Sequence, residues 1–479
     1  MSDVTLQTNQ QIEKLKAIFE VQKHAFSQDM MPSYEQRIVL LNRLEHMLLD
    51  NQQAIADAVA QDFGCHPEAL TKLVEIMPTV LRIRHVKSHL KKWMKPQKRE
   101  VNRTLFGFAK NKVVYQPVGV VGNISPWNFP FDIALGPLTD ILAAGNRVII
   151  KPSEITPACS TLLEQLVSNT FEPEYVAVIT GDLDVSEAFS HLPWDHLIFT
   201  GGPEIGKKVM QAASQHLVPV TLELGGKCPV IIAADNFNKK TVSSIISTKM
   251  IKSGQMCISP DYVYVPENTL EEFIELTRKS VKKMFPTFVD NKDATSIIND
   301  RHYSRLLGYL DDAKQNGARI VEINPANELA NNNVRKFPFT LVIEPSEQTA
   351  VMKNELFGPI LIVKTYSDIQ QPIDYINQHH RPLALYCYTN KKEVANKVIN
   401  QTISGGVCIN AAATHGIQAS LPFGGIGNSG MGHHHGYEGF LTFTKIKPIF
   451  EQAKFDGTAL LHPPYGKFIH RFLKFVLGK

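Results

Sequence analysis

An α/β fold built on parallel sheets is what this chain predicts, and three observations carry the prediction. From residue 118, β-branched runs at Val118–Ile124, Arg147–Ile150, Tyr175–Ile179, His196–Phe199 and Val218–Leu222 alternate with helical stretches near 130–144, 157–169, 184–191 and 204–216. Alternation of this kind sets the strands parallel, with helices on both faces. A second series follows over 227–410, with strands near 228–233, 261–265, 339–343, 359–364, 383–388 and 405–409. Finally, 479 residues with 43% hydrophobic and 20% charged content exceed one ordinary core and fit a soluble chain of two or three domains.

Ahead of the first strand, residues 10–27 and 33–62 read as two amphipathic helices, the second opening on a capping box of Ser33 and Gln36. A third helical stretch, about 67–93, ends in a basic run before Pro96 and carries no expected catalytic role. Residues 98–117, turning at Gly107, suggest a β-hairpin, whose edges need covering. Residues 288–338 are richer in polar and loop residues, including Asn331-Asn-Asn333, and read as a surface excursion. The glycine cluster at 424–432 allows tight turns beside a ligand or an interface. The final dozen residues, Phe468–Lys479, are apolar and basic and fit docking on a partner subunit or grazing an anionic surface.

Several classes are excluded. A net charge of +4 without a basic, aromatic-interleaved stripe gives no reason to invoke nucleic acid. Six cysteines without a C-x-x-C pair suit neither a disulfide framework nor a zinc site, and they point to a reducing compartment. Gln7, Asn9, Gln10, Gln11 and Glu13 break any apolar run at the start, so no signal peptide is expected. No stretch approaches the ~20 apolar residues of a membrane span. The expected location is the cytoplasm.

The chemistry centres on Gly254-Gln-Met-Cys257, between a helix expected over Thr241–Lys252 and the strand Asp261–Val265. A cysteine after a glycine at the edge of a turn would be exposed on a rigid support. With a reference pKa of ~8.5, it needs a base or a positive environment to become a thiolate. Glu223 would serve as that base or activate water afterwards. Attack on a carbonyl also needs donors for the developing oxyanion, which the Asn128 side chain and the Cys257 N–H would supply. Ligands of parallel sheets bind at the carboxyl ends of the strands. Polar residues gather there: Ser125–Pro130, Lys151-Pro-Ser-Glu154, Thr200–Gly206 and Glu223–Gly226. Lys151 and Glu154 would bind ribose hydroxyls, with the carboxylate disfavouring a 2′-phosphate. The glycines of Gly201–Gly206, before a helix, would approach a pyrophosphate, although a simple tight turn explains them equally well.

Taken together, Pro126-Trp-Asn-Phe-Pro130, Lys151–Glu154, Phe199-Thr-Gly201, Leu222–Gly226, Gly254–Cys257, Glu355-Leu-Phe-Gly-Pro359 and Pro422-Phe-Gly-Gly425 resemble the aldehyde dehydrogenase superfamily over roughly residues 35–450. The likeness is closest to its class 3 branch, through Gly254–Val263 and Ser429-Gly-Met-Gly432, and the stretch Ala459–Gly466 looks like the tail of bacterial coniferyl aldehyde dehydrogenases. The resemblance implies a Rossmann-type cofactor domain (1–97 and 118–222, with a returning segment near 411–440) and an α/β catalytic domain (223–410). It also implies a small β oligomerisation arm and tail (98–117 and 441–479), and a homodimer. It implies Cys257 as nucleophile, Glu223 as general base and Asn128 in the oxyanion hole. NAD, with NADP as the other option, would be held by Trp127, Lys151, Glu154, Gly201, Gly206, Glu355 and Phe357. The implied substrate is coniferaldehyde or another aromatic or medium-chain aldehyde. A CoA-acylating enzyme and a catalytically silent homologue are the alternatives. Glu223 speaks against the first, because acyl transfer to a thiol needs no water-activating carboxylate.

Three departures from the family pattern stand out. Pro203 and Glu204 stand where small or hydroxyl residues are usual, and Ala411 replaces a frequent acidic residue. His433-His434-His435 puts a histidine where an aromatic is common. A metal role for this run is not expected, since adjacent residues cannot all face one ion.

Overall fold

The computed structural model describes residues 3–329, 334–454 and 462–478. Asn331–Asn333 and the Ala459–Leu461 part of the tail motif lie outside the described residues.

The first strand series forms a six-stranded sheet. Strands Val120–Ile124, Arg147–Lys151, Val176–Val178, His196–Gly201 and Val220–Leu224 run parallel, and Gly430–Met431 returns antiparallel beside Val220–Leu224. Alternating side chains feed two cores, as the pleat requires. Val121, Val148 and Ile150 pack with helices Tyr34–Asp50, Gln52–Phe63, Met77–Trp93 and Asp132–Ala144. Val120, Ile149 and Leu197 face Leu15 and Phe19 of the first helix, Asp3–Gln28. The second series forms a seven-stranded sheet, parallel except for the edge strand Arg319–Ile323. A third sheet, wholly antiparallel, joins Gln97–Arg99, Lys110–Pro117 and Thr444–Glu451.

Several expectations need correction. The stretch 33–62 is two helices, parted at Asn51, whose side chain bonds back to Met47 O at 2.8 Å; the capping box at Ser33 is present. The hairpin at 98–117 is tipped by a one-turn helix, Arg103–Phe106, rather than a tight turn. The region 288–338 is more than an excursion: it holds helix Asp300–Gln315 and edge strand Arg319–Ile323, which pairs with Phe339–Ile343. The helix before Cys257 ends at Met250, because Lys252 and Ser253 are left-handed, at φ 49° and 52°. Both are non-glycine residues, so this conformation is held by their surroundings. Within the third helical stretch, Lys72–Ile76 forms a π-helical segment, a deviation frequent at functional sites. The closing helix, Lys467–Leu477, buries no residue against the rest of the chain. Among the described residues no helix is long and apolar enough to cross a membrane.

Candidate active site

Where the carboxyl end of the six-stranded sheet meets the start of the second, a cavity of about 280 Å³ opens. Its lining is largely apolar, with Phe129, Ile133, Met256 and Phe423, and it contains both Cys257 and Glu223. Cys257 is half-buried on this cavity rather than exposed at a turn. Burial pushes its thiol up to about 12, and the charges of Glu355 and Glu223 add to the effect; the N–H groups of Ile258 and Cys257 pull the other way. Glu223 sits on strand Val220–Leu224, buried, and neither carboxylate oxygen has a hydrogen-bond partner among the described residues. Desolvation alone raises it well above the ordinary carboxylate range. The site thus holds a protonated thiol and an unpartnered carboxyl, both tuned toward the neutral form.

The turn that presents Cys257 is fixed from beneath. Gly254, at φ 76°, needs its missing side chain, since a Cβ would stand 2.2 Å from Gly358 O. Gln255 is fully buried, donating to Lys252 O and Ser296 O at 2.9 and 3.0 Å and accepting from Ile298 N at 3.0 Å. Asn128, also buried, spends one amide N–H on Gln255 O at 3.2 Å. The left-handed Lys252 puts its ammonium on the Glu75 carboxylate and on Asn128 O, the latter at 2.5 Å, with the Phe129 ring 4.2 Å away. Glu75, in the π-helical segment, also accepts from Phe131 N and Asp132 N at 3.1 and 3.0 Å. Sequence reasoning missed Lys252, Glu75 and the part played by Gln255. Gln255 lay inside a quoted motif, whereas Glu75 carried no local signal in a helix read as structural.

Residues expected on the cofactor side lie outside the cavity lining. Lys151 closes its strand, buried, with its amine on Pro152 O at 2.7 Å; burial lowers it to about 8, while Glu154 and Asp182 pull it back up. Glu154 is exposed. Gly201 pairs with Leu224, and a Cβ on Gly206 would meet Leu224 Cδ2 at 2.7 Å, so the glycine turn lies directly beside the Glu223 strand. A Cβ on Gly225 would meet the Glu355 carboxylate at 2.0 Å, and burial raises Glu355 to about 8. Trp127 and Phe357 meet edge to face at 5.4 Å, Phe357 at a left-handed φ of 46°.

This arrangement belongs to the aldehyde dehydrogenase family, whose model matches residues 2–449. The chain is therefore an oxidoreductase that acts on aldehydes with a nicotinamide cofactor. It is 44% identical to a protein of Caulobacter vibrioides named "Probable coniferyl aldehyde dehydrogenase", covering 95% of both chains. It is 42% identical to the coniferyl aldehyde dehydrogenase of a Pseudomonas species, covering 97% of each. The substrate-bound structure of AldH from Staphylococcus aureus superposes with a TM-score of 0.90 at 32% identity, over 97% of this chain and 99% of that one.

The residues present fit a nicotinamide dinucleotide. Gly202, at the amino end of helix Pro203–Ser214, has nothing within 4 Å of a Cβ position, leaving the backbone open to a pyrophosphate. Among the described residues the Lys151 amine makes a single hydrogen bond, to Pro152 O, and keeps donors for ribose hydroxyls.

Proposed function

We propose that the protein oxidises coniferaldehyde or another aromatic or medium-chain aldehyde to its acid through Cys257, with Glu223 as base. One observation carries this reading: a buried carboxyl group without hydrogen-bond partners among the described residues shares an apolar cavity with the thiol. Glu223 takes the thiol proton, and the thiolate adds to the aldehyde carbon. The resulting oxyanion accepts hydrogen bonds from the remaining Asn128 amide N–H and from the Cys257 N–H. Nicotinamide, when bound, supplies the hydride acceptor. Loss of hydride leaves a thioester on Cys257. Glu223 gives the thiol proton up to solvent, then takes a proton from water as the water oxygen attacks the thioester carbon; the C–S bond breaks, the acid leaves, and Glu223 returns that proton to the Cys257 sulfur.

Glu223→Gln is expected to lower kcat by about 10²–10⁴-fold. It should also leave an acylated chain visible by intact-protein mass spectrometry after brief exposure to aldehyde and cofactor. Undiminished release of free acid by that variant would remove Glu223 from the mechanism. Because burial raises Glu223, its base form grows as pH increases, so wild-type kcat should rise with pH through the titration. Formation of acyl-CoA instead of free acid would favour the acylating alternative.

Glu154 beside Lys151 supports a preference for NAD over NADP, because a carboxylate near the ribose repels a 2′-phosphate. Glu154→Gln should raise kcat/KM with NADP relative to NAD by about tenfold, an effect worth ~1.4 kcal/mol. Steady-state rates with coniferaldehyde, benzaldehyde and octanal, each with both cofactors, rank the substrates. We further place the end of the cofactor-binding part after Leu224, because its strand lies wholly in the six-stranded sheet. Residues 98–117 and 441–479 are assigned to assembly: strand Thr444–Glu451 is an edge, and Ile446 and Phe450 on it are exposed. A homodimer, about twice 53.6 kDa by light scattering, is expected. Six free cysteines accord with a cytoplasmic setting.

A further inference from the structure

The apolar cavity that holds Cys257 contains polar groups that the reaction does not use. Arg82 and Asp132 balance each other, at 3.5 Å between Nη1 and Oδ1, and Asp132 also accepts from Thr79 Oγ1 at 2.6 Å. His434 and His435 are not matched in this way. Both are buried, at 6% and 4% exposure, and both line the cavity. Their rings meet edge to face at 4.2 Å and rest against Phe423 at 5.6 and 5.5 Å. Each ring has a buried Nδ1 without a hydrogen-bond partner among the described residues. Two such atoms on one short segment are costly unless something else satisfies them.

The segment is built to deliver them. Gly430, at φ 144°, pairs with Glu223, and a Cβ there would strike Leu222 O at 2.2 Å. The chain then runs back past Phe423, where His434 exchanges two backbone hydrogen bonds of 2.8 Å. His435 N is anchored on Asp140 Oδ2 at 2.8 Å, and His435 takes a left-handed φ of 79°. Their chemistry is narrow. Burial and the nearby Arg82 charge push His434 down to about 3 and His435 well below its ordinary value, so both rings are neutral. A neutral imidazole donates at one nitrogen and accepts at the other, which suits an uncharged hydroxyl better than a carboxylate or an ammonium.

We propose that His434 and His435 form a subsite for a hydroxyl group on the substrate, selecting phenolic aldehydes over equally sized aldehydes without that group. This rests on the reading of the cavity as the aldehyde site of Cys257. A site that hydrogen-bonds a hydroxyl rejects the analogue lacking it, because its own buried polar groups are then left unpaired.

The test uses 4-hydroxycinnamaldehyde and cinnamaldehyde, which differ only in the hydroxyl, with the full-length enzyme and NAD. The readout is the ratio of their kcat/KM values, which does not depend on how much of a preparation is folded. In the wild type the ratio should exceed about tenfold. His434→Phe and His435→Phe should each bring it close to one, while His434→Gln, which keeps a donor and an acceptor, should restore part of it. A wild-type ratio near one, or a ratio unchanged in both phenylalanine variants, overturns the subsite and leaves aldehyde oxidation standing. Failure of the wild type to oxidise either cinnamaldehyde, while octanal is oxidised, overturns the aromatic substrate reading and the subsite with it.

Discussion

Cys257→Ser is expected to lose at least about 10⁴-fold in kcat, read as NADH formation from a saturating aldehyde. The thiol and Glu223 are both shifted toward their neutral forms by the same apolar surroundings. Once Glu223 is ionised, proton transfer from the thiol moves its single negative charge onto sulfur without adding charge to the cavity, and in the proposed mechanism this makes a thiol pushed up to about 12 usable as a nucleophile. A serine hydroxyl is a far weaker acid than a thiol, so the same carboxylate cannot generate its alkoxide. Binding of the dinucleotide should survive, since residues 151–154 and 201–206 lie outside the cavity lining. Full dehydrogenase turnover in the serine variant would sink the assignment of Cys257.

Lys252→Met should cost about 3–5 kcal/mol of stability, because it leaves the Glu75 carboxylate buried without its ammonium partner. The pair is fully buried, and Lys252 also bonds Asn128 O, so the loss reaches the oxyanion side of the site as well as the fold. The double variant Lys252→Met/Glu75→Leu replaces the pair with apolar side chains and should recover much of the stability. Urea midpoints of the wild type, Lys252→Met, Glu75→Leu and the double variant form the double-mutant cycle. A Lys252→Met midpoint equal to wild type would mean that the pair contributes nothing. Recovery of stability without recovery of kcat in the double variant would separate the two duties, leaving Lys252 as a positioning residue for Asn128.

Most of both large sheets was legible in the sequence, for a physical reason. Strands buried on both faces, such as Val148–Ile150 and Ala384–Tyr388, are apolar throughout, and the pattern marks them to within a residue or two. Arg319–Ile323 was missed because an edge strand alternates with exposed residues and sits among polar neighbours. Cys257 and Glu223 were readable as residue types in motifs, with glycine-bearing turns and strands around them supplying context. The Lys252–Glu75 pair was not, because its partners stand 177 positions apart and the left-handed backbone at Lys252 is imposed by tertiary packing. His434 was noticed only as a departure. The buried, unpartnered state that gives it meaning exists only once the chain is folded.

The return of Gly430–Met431 to the edge of the six-stranded sheet has a bearing on synthesis. The strand that carries Glu223 and the turn that carries Cys257 leave the ribosome long before the segment that walls them in. At typical elongation rates the gap is on the order of ten seconds or more. During that time the nascent chain holds a thiol and a carboxylate without the enclosure that tunes them. The proposed nucleophile therefore reaches its working environment only when nearly the whole chain has emerged, and a product truncated before Gly424 would carry Cys257 without a closed cavity around it.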